Sequence, residues 1–326
     1  MEYSGGSFLK HILNIAYTSD FAHFDEVIDF MGEKFRLTQL GTNFDFEATL
    51  KVLEKYDGLC DAISISGLPA VIKTKKNSFT PPQREALINH TRETFVLDGQ
   101  TLKDIYIPWL MRKHFMSQSE VYKHERLAFY SGVLQKNLLD VCEEFVHEIQ
   151  LADPYFFLKM PYTVKSVDAL EKFTRLLWPI FKRMKIKRSI IPEFNRNKRN
   201  LPAPLIDFFH CDTFVGTMAI MELIDLEHTR GKKVIVDVLG SELKEKLINI
   251  GTKEVLVCLP QIEGVPFINF AILEAFFQAK QKENIRLTTD DFLKRIEEID
   301  IRPELLNLNE LQEPIQAKTR IHSLTF

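Results

Sequence analysis

The feature that most constrains this chain is its alternation of short apolar runs with segments whose apolar residues recur at helical spacing. Runs of about four to eight apolar residues bounded by Gly, Pro or Asp are the signature of buried strands, and their regular exchange with helices predicts mostly parallel sheets covered on both faces. Residues 11–19 (HILNIAYTS) form the first run. Residues 26–31 and 34–40 flank Gly32 as a hairpin, with Phe35 and Leu37 alternating with Lys34, Arg36 and Thr38. Phe46, Leu50, Leu53 and Tyr56 then mark a helix that stops at Asp57-Gly58. A strand is expected over 60–66, an exposed turn over 73–77, a helix opened by Thr80 as its cap with Pro81 and Pro82 behind it, a strand over 93–97 and a helix over 101–114.

The second half repeats this grammar. Strands are expected over 126–130, 148–151, 211–215, 233–239 and 254–259, and helices over 134–146, 166–184, 266–280 and 290–299. A chain of 326 residues exceeds what one hydrophobic core organises efficiently. The expected architecture is therefore α/β, two Rossmann-like units with mostly parallel sheets: an N-terminal domain over 1–120, a second over 121–284, and a C-terminal helix and tail over 285–326. The boundary is placed in the polar stretch 115–125, where apolar density drops.

Charge and cysteine usage narrow the partners. With 42 basic and 45 acidic residues the chain carries a formal charge of -3, which supplies no global field for nucleic acid or an anionic membrane. The one basic concentration, Lys182 to Arg199, contains a single aromatic residue, Phe194, and reads as a solvated loop rather than a stacking surface for bases. Cys60, Cys142, Cys211 and Cys258 lie far apart in apolar settings with no CxxC, which predicts thiols in a reducing compartment, without a disulfide and without a metal site. The first residues do not spell a signal peptide, and the longest apolar stretch, 265–279, falls short of the ~20 residues that a membrane helix needs. A cytoplasmic location is expected.

In open α/β sheets ligands bind beyond the carboxyl ends of the strands, which directs the search to five turns: Gly41-Thr42-Asn43, Ser66-Gly67, Asp98-Gly99, Ser131-Gly132, and Leu259-Pro260 with Gly264. None spells GxGxxG, and no P-loop, GxSxG or HExxH occurs. Asp98 and Lys103 form the sharpest catalytic candidate: a strand-end carboxylate, a permissive Gly99, and an amine one turn into the next helix that can serve as acid, base or anion clamp. Beside it stands the plainer reading, in which Asp98 caps the helix and Lys103 is solvated. Ser131, Gly132, Gly216 and Asn269 are the candidates for holding a cofactor. The nine histidines pair with no nucleophile at a recognisable spacing, and His210 and His228 are read as structural or exposed rather than catalytic.

Several of these segments, taken in order, resemble a bacterial family of quinate/shikimate 5-dehydrogenase-like proteins. The matching pieces are Leu40-Gly41-Thr42-Asn43-Phe44-Asp45, Asp57-Gly58-Leu59-Cys60-Asp61-Ala62-Ile63, Val96-Leu97-Asp98-Gly99-Gln100-Thr101-Leu102-Lys103, Ile190-Ile191-Pro192-Glu193-Phe194, Arg230-Gly231-Lys232-Lys233-Val234-Ile235, and Leu259-Pro260-Gln261-Ile262-Glu263-Gly264 leading to Phe267, Asn269, Glu274 and Ala275. The resemblance implies NAD or NADP as cofactor and an oxidoreductase acting on a small hydroxylated metabolite, with Asp98 and Lys103 near the substrate and Asn269 as a polar anchor. The chain departs from that pattern after Gly216, where Thr217, Met218, Ala219, Ile220 and Met221 stand in place of acidic, His and Arg residues. The alternative is therefore a catalytically degenerate α/β module that binds a metabolite or a partner protein, including a further copy of itself, within a larger assembly.

Overall fold

The computed structural model describes residues 9–18, 23–181, 203–281 and 285–310. It is a mixed α/β fold with two mostly parallel sheets, one in each of two compact units. The first unit comprises the described residues within Met1–Ala70, Thr80–Tyr106 and Gln261–Ile301; the second comprises those within Val71–Phe79, Ile107–Pro260 and Arg302–Phe326. The stretch 115–125 lies inside the second unit, and the basic run Lys182 to Arg199 lies outside the described residues.

The first unit opens with β1 (Lys10–Ala16), β2 (Phe24–Phe30), β3 (Glu33–Gly41), α1 (Phe46–Tyr56) and β4 (Ala62–Ser66). The second unit contributes a small hairpin, β5 (Ile72–Lys73) and β6 (Ser78–Phe79), before the first resumes with α2 (Pro82–Ile88), β7 (Val96–Leu97) and α3 (Gln100–Tyr106). The hairpin expected around Gly32 is present, with β2 antiparallel to β3. Met31 and Gly32 both have positive φ, +53° and +74°, the backbone that matches the right-handed twist of the flanking strands. α2 begins one residue later than expected: Pro81 is its N-cap and no side chain caps it, so Thr80 lies outside the helix.

The strand order is β2-β3-β1-β4-β7, with β1 parallel to both β3 and β4. Leu13, Ile15, Ile63 and Ile65 face Leu53 of α1 and Leu87 of α2 in one apolar cluster. The opposite face is covered by α12 (Phe270–Ala279), a helix buried all round, whose Phe276 ring stacks at 4.4 Å on Phe30 and lies edge-on to Phe35 at 5.2 Å. A helix apolar on every side must be enclosed, so α12 is core to a sheet far from it in sequence. α13 (Thr289–Ile299) follows, closed at its start by a reciprocal capping box between Thr288 and Asp291.

The second unit continues the chain with a π-helical turn (Ile107–Met111), α4 (Arg112–Ser117), α5 (Ser119–Tyr122), β8 (Arg126–Phe129), α6 (Lys136–Phe145), β9 (Glu148–Leu151), α7 (Asp153–Leu158) and α8 (Val167–Phe181). Next come α9 (Ala203–Phe209), β10 (Thr213–Gly216), α10 (Met218–Leu223), β11 (Lys233–Val236), α11 (Ser241–Ile250), β12 (Glu254–Val257) and the edge strand β13 (Glu304–Asn307). The sheet order is β13-β12-β11-β10-β8-β9, parallel throughout except for β13, which runs antiparallel to β12.

Counting only parallel strands, the two sheets share one order. In each, the second strand lies on one side of the first and the later strands lie on the other, which is the flavodoxin-like arrangement. The connections reverse direction between β1 and β4 in the first unit, and between β8 and β10 in the second. A crevice opens at such a switch point, and it is the expected ligand position in each unit.

Candidate functional site

The two switch points are built differently. In the second unit the Tyr130 amide donates to the Val215 carbonyl at 3.1 Å, which brings Ser131 and Gly132 beside Gly216. These are the residues expected to hold a cofactor, and they lie in a packed interior. A methyl group on Gly132 would come within 2.9 Å of the Leu139 and Leu170 side chains, and one on Gly216 within 2.7 Å of the Tyr130 ring and 2.9 Å of Met221. The missing Cβ atoms thus make room for this unit's own side chains rather than for a pyrophosphate.

The polar groups of the same turn are also committed. Asp153, the first residue of α7, is fully buried and accepts from Ser131 Oγ at 2.9 Å, Gly132 N at 2.8 Å and Val133 N at 3.1 Å. Burial pushes its carboxyl up to about 6 even though these donors favour the charged form. Tyr130 is sealed in an aromatic cluster with Phe208 and Phe214 and bonds His228 Nε2 at 2.7 Å. The apolar stretch after Gly216 forms α10, which supplies Met221 to the packed crevice.

At the carboxyl end of β7, Asp98 is not a free carboxylate. It pairs with Arg84 Nε at 2.7 Å, with both side chains largely buried, and accepts from the Gln100 amide at 2.9 Å at the start of α3. Arg84 also donates to the Pro69 carbonyl at 3.0 Å, so the pair ties α2 and the loop after β4 to the end of β7. Lys103 lies with its ammonium 5.6 Å from the centre of the Phe270 ring. Asn269 is the N-cap of α12, its Oδ1 accepting from Ile272 N at 2.9 Å.

Glu274 belongs to this neighbourhood. It is 1% exposed, the Leu102 and Gly99 amides donate to its carboxyl group, and its Oε2 has no partner among the described residues. Burial first, and then the Asp98 carboxylate, push it up to about 8. Gly99 has φ +78° and lies so close to the start of α12 that a Cβ would fall 2.4 Å from the Ala271 nitrogen. Asp98, Lys103 and Asn269 therefore gather near the start of α12, held by an ion pair, a ring contact and a helix cap.

The first unit's switch point, by contrast, reaches the surface. The Tyr17 amide donates to the Ser66 carbonyl at 2.8 Å, and Thr42 N donates to the Ala16 carbonyl at 3.0 Å, so the ends of β1, β3 and β4 meet there. Beneath them runs a polar row across three strands. Asn14 Nδ2 donates to Gln39 Oε1 at 2.7 Å, and Asn14 Oδ1 accepts from Ser64 Oγ at 2.9 Å and Ser66 Oγ at 2.8 Å. Each hydroxyl spends its proton on Asn14, which leaves the Ser66 oxygen, half-buried at the crevice, as an acceptor. Tyr17, at the end of β1, packs into the apolar cluster with Leu13, Ile15 and Leu53, where burial and then the Asp45 carboxylate push its hydroxyl above its ordinary value.

The loop after β3 closes the third side. Asn43 and Phe44, neither of them glycine, have φ of +50° and +59°, and the loop is fixed by Asp45, which caps α1 through Ala48 N at 3.0 Å. The Phe44 ring packs edge-on to Tyr17 at 5.9 Å and remains 62% exposed. Two successive strained residues that present an aromatic ring to solvent need a reason beyond folding. The sequence marked the Gly41-Thr42-Asn43 and Ser66-Gly67 turns without assigning them chemistry. The available signal was Ser64 and Ser66 repeating at period two in a buried strand, with Asn14 inside an otherwise apolar run.

Among the described residues no group of three or more His, Cys, Asp or Glu is placed to hold a metal ion, and no helix is long and apolar enough to cross a membrane. All four cysteines are free thiols, three buried and Cys60 half-buried.

Two family models match the chain, both described as domains of unknown function: DUF8753 over residues 11–98 and DUF8754 over residues 101–308. No curated protein matches. Matching solved structures include GanP, a glucose-galactose binding protein from Geobacillus stearothermophilus, at 10% identity and TM-score 0.37, covering 93% of this chain and 99% of that one. A carbohydrate transporter solute binding protein from Agrobacterium radiobacter, in complex with D-arabinose, matches at 11% identity and TM-score 0.33 over 95% and 98% of the two chains. A LacI-type transcriptional regulator structure from Bacteroides fragilis matches at 9% identity and TM-score 0.35 over 94% and 99%.

These findings correct the expected family and activity. The matched models are two domains of unknown function and not those of quinate or shikimate dehydrogenases, and Gly132 and Gly216 are packed against Leu139, Leu170, Tyr130 and Met221. The succession of short motifs misled because each is strand-end and turn chemistry that any doubly wound sheet requires. With DUF8754 spanning most of its length, the chain belongs to that family.

Proposed function

We propose that the chain is a non-catalytic α/β binding module whose first unit takes a small hydroxylated metabolite at the switch point between β1 and β4. The observation that supports this reading is the exposed strand end itself: Ser66 Oγ, with its proton committed to Asn14, is left as an acceptor, and the loop after β3 holds the exposed Phe44 ring on left-handed backbone, edge-on to Tyr17. A polyol or sugar-like molecule presents hydroxyls that both donate and accept, together with a C–H face suited to an aromatic ring. The packed crevice of the second unit supports a scaffold role for that unit. A cytoplasmic location belongs to the same reading, supported by cysteines carried as free thiols. The test is a thermal-shift screen with pentoses, hexoses, polyols and hydroxy acids, followed by calorimetry on any hit. Saturable binding weakened about fivefold to tenfold by Ser66→Ala, as expected for the loss of one hydrogen bond worth about 1–1.4 kcal/mol, supports the reading; equal binding by both proteins overturns it.

A further inference from the structure

A second cluster lies at the opposite, amino, end of the first sheet. The Cys60 sulfur is 3.4 Å from His11 Nδ1, His11 Nε2 is 2.8 Å from Thr38 Oγ1, and Thr38 Oγ1 is 3.0 Å from Asp25 Oδ1. Arg36 grips Asp25 through two bonds, at 2.9 and 2.6 Å, and holds its carboxyl down at about 2. Asp25 is therefore an ionised acceptor, and the Thr38 proton must point to it. The Thr38 oxygen then accepts from His11 Nε2–H, which leaves Nδ1 bare and facing the thiol. This is the logic of a base oriented by a third group, here relayed through a hydroxyl.

The other groups around His11 fit that role. Burial and the Arg36 charge lower its pKa, so the ring rests neutral, while the Asp25 and Asp61 carboxylates and the Leu59 carbonyl favour the protonated ring once it forms. Tyr56 of α1 packs edge-on at 6.4 Å. Burial and Asp61 push the Cys60 thiol up to about 12, so it rests protonated and its reactivity depends on a base acting during the step. Cys142, Cys211 and Cys258 are at most 1% exposed, which makes Cys60 the most accessible of the four.

We propose that Cys60 and His11 form a base-assisted thiol that small hydroperoxides oxidise, a modification site separate from the metabolite crevice. In the step the sulfur attacks the terminal peroxide oxygen while its proton passes to His11 Nδ1. The S–O bond forms, the O–O bond breaks, and the leaving alkoxide or hydroxide takes the proton from His11. The thiol is oxidised to a sulfenic acid and the peroxide is reduced to an alcohol or water. Thr38 and Asp25 are positioning residues.

The test treats the full chain with hydrogen peroxide, traps sulfenic acid with dimedone and maps it by mass spectrometry, alongside the pH dependence of iodoacetamide alkylation at Cys60. Adduct is expected at Cys60 ahead of the other cysteines, with an alkylation rate nearly level across about pH 7–9 because His11 supplies the base. In His11→Gln, and in Thr38→Val as a second variant that keeps the imidazole, neutral-pH rates should fall at least about tenfold and rise about tenfold per pH unit, tracking free thiolate. A wild-type rate that already rises in that way, or no Cys60 adduct with peroxide, overturns the proposal.

Discussion

The Tyr17 amide donates to the Ser66 carbonyl at 2.8 Å, a bond that pins the carboxyl ends of β1 and β4 together at the point where the first sheet reverses its connections. Its counterpart in the second unit, Tyr130 to Val215 at 3.1 Å, occupies the same place in the same strand order. Around the first, Phe44 and Gly67 are exposed; around the second, Tyr130, Ser131 and Val133 are at most 1% exposed. One topology thus carries a switch point bordered by exposed residues and one that is filled.

The filled crevice should resist any added volume. Gly216→Ala puts a methyl group against the Tyr130 ring and Met221, and should destabilise the protein by about 1–3 kcal/mol. Urea unfolding monitored by circular dichroism checks this; an unchanged midpoint would show that the crevice has slack.

The former catalytic candidates should separate by what holds them. Asp98→Ala leaves Arg84 buried without its partner and should cost about 3–5 kcal/mol. Lys103→Ala, which loses the contact with the Phe270 ring, should cost less, about 1 kcal/mol. Thermal denaturation of the two variants side by side measures the contrast.

Glu274 makes stability depend on pH in a definite direction. Its folded pKa, about 8, lies above the unfolded value near 4.5, so the native state holds the extra proton and stability declines as pH rises between those values. Glu274→Gln mimics the protonated form. It should match wild type near pH 4.5 and exceed it by a few kcal/mol at pH 9, since each pH unit between the folded and unfolded values contributes about 1.4 kcal/mol. Denaturant titrations at the two pH values check the sign, and a variant no more stable than wild type at pH 9 would contradict it.

Strain at Phe44 should divide stability from binding. Phe44→Gly relieves a left-handed φ of +59° worth about 1–2 kcal/mol and loses only an exposed ring contact with Tyr17, so stability should hold or rise while metabolite affinity falls. Calorimetry and thermal melts on the same preparation separate the two effects.

Much of the fold was legible because local pattern decides it: the hairpin at Gly32, α1, and the parallel strands of both sheets followed from period and turn residues. Which sheet a helix covers is not local information. The pattern over 266–280 announced a helix, but nothing near it said that Phe276 would pack on Phe30 and Phe35 of the first sheet. β13 was missed because an exposed edge strand, ELLN, has no buried face to impose alternation. At the site, turn locations were legible and roles were not. Gly132 and Gly216 looked permissive, yet whether a glycine admits a ligand or a leucine depends on neighbours such as Leu170 and Met221 that only the packed unit brings together.

The most direct test of the account is amide NMR during titration with the best metabolite from the screen. If the ligand binds at the switch point of the first unit, the largest shifts will fall on Thr42, Asn43, Phe44 and Gly67, with Gly132 and Gly216 unmoved. Shifts concentrated at Gly132 and Gly216, or no saturable shift with any metabolite, would contradict it.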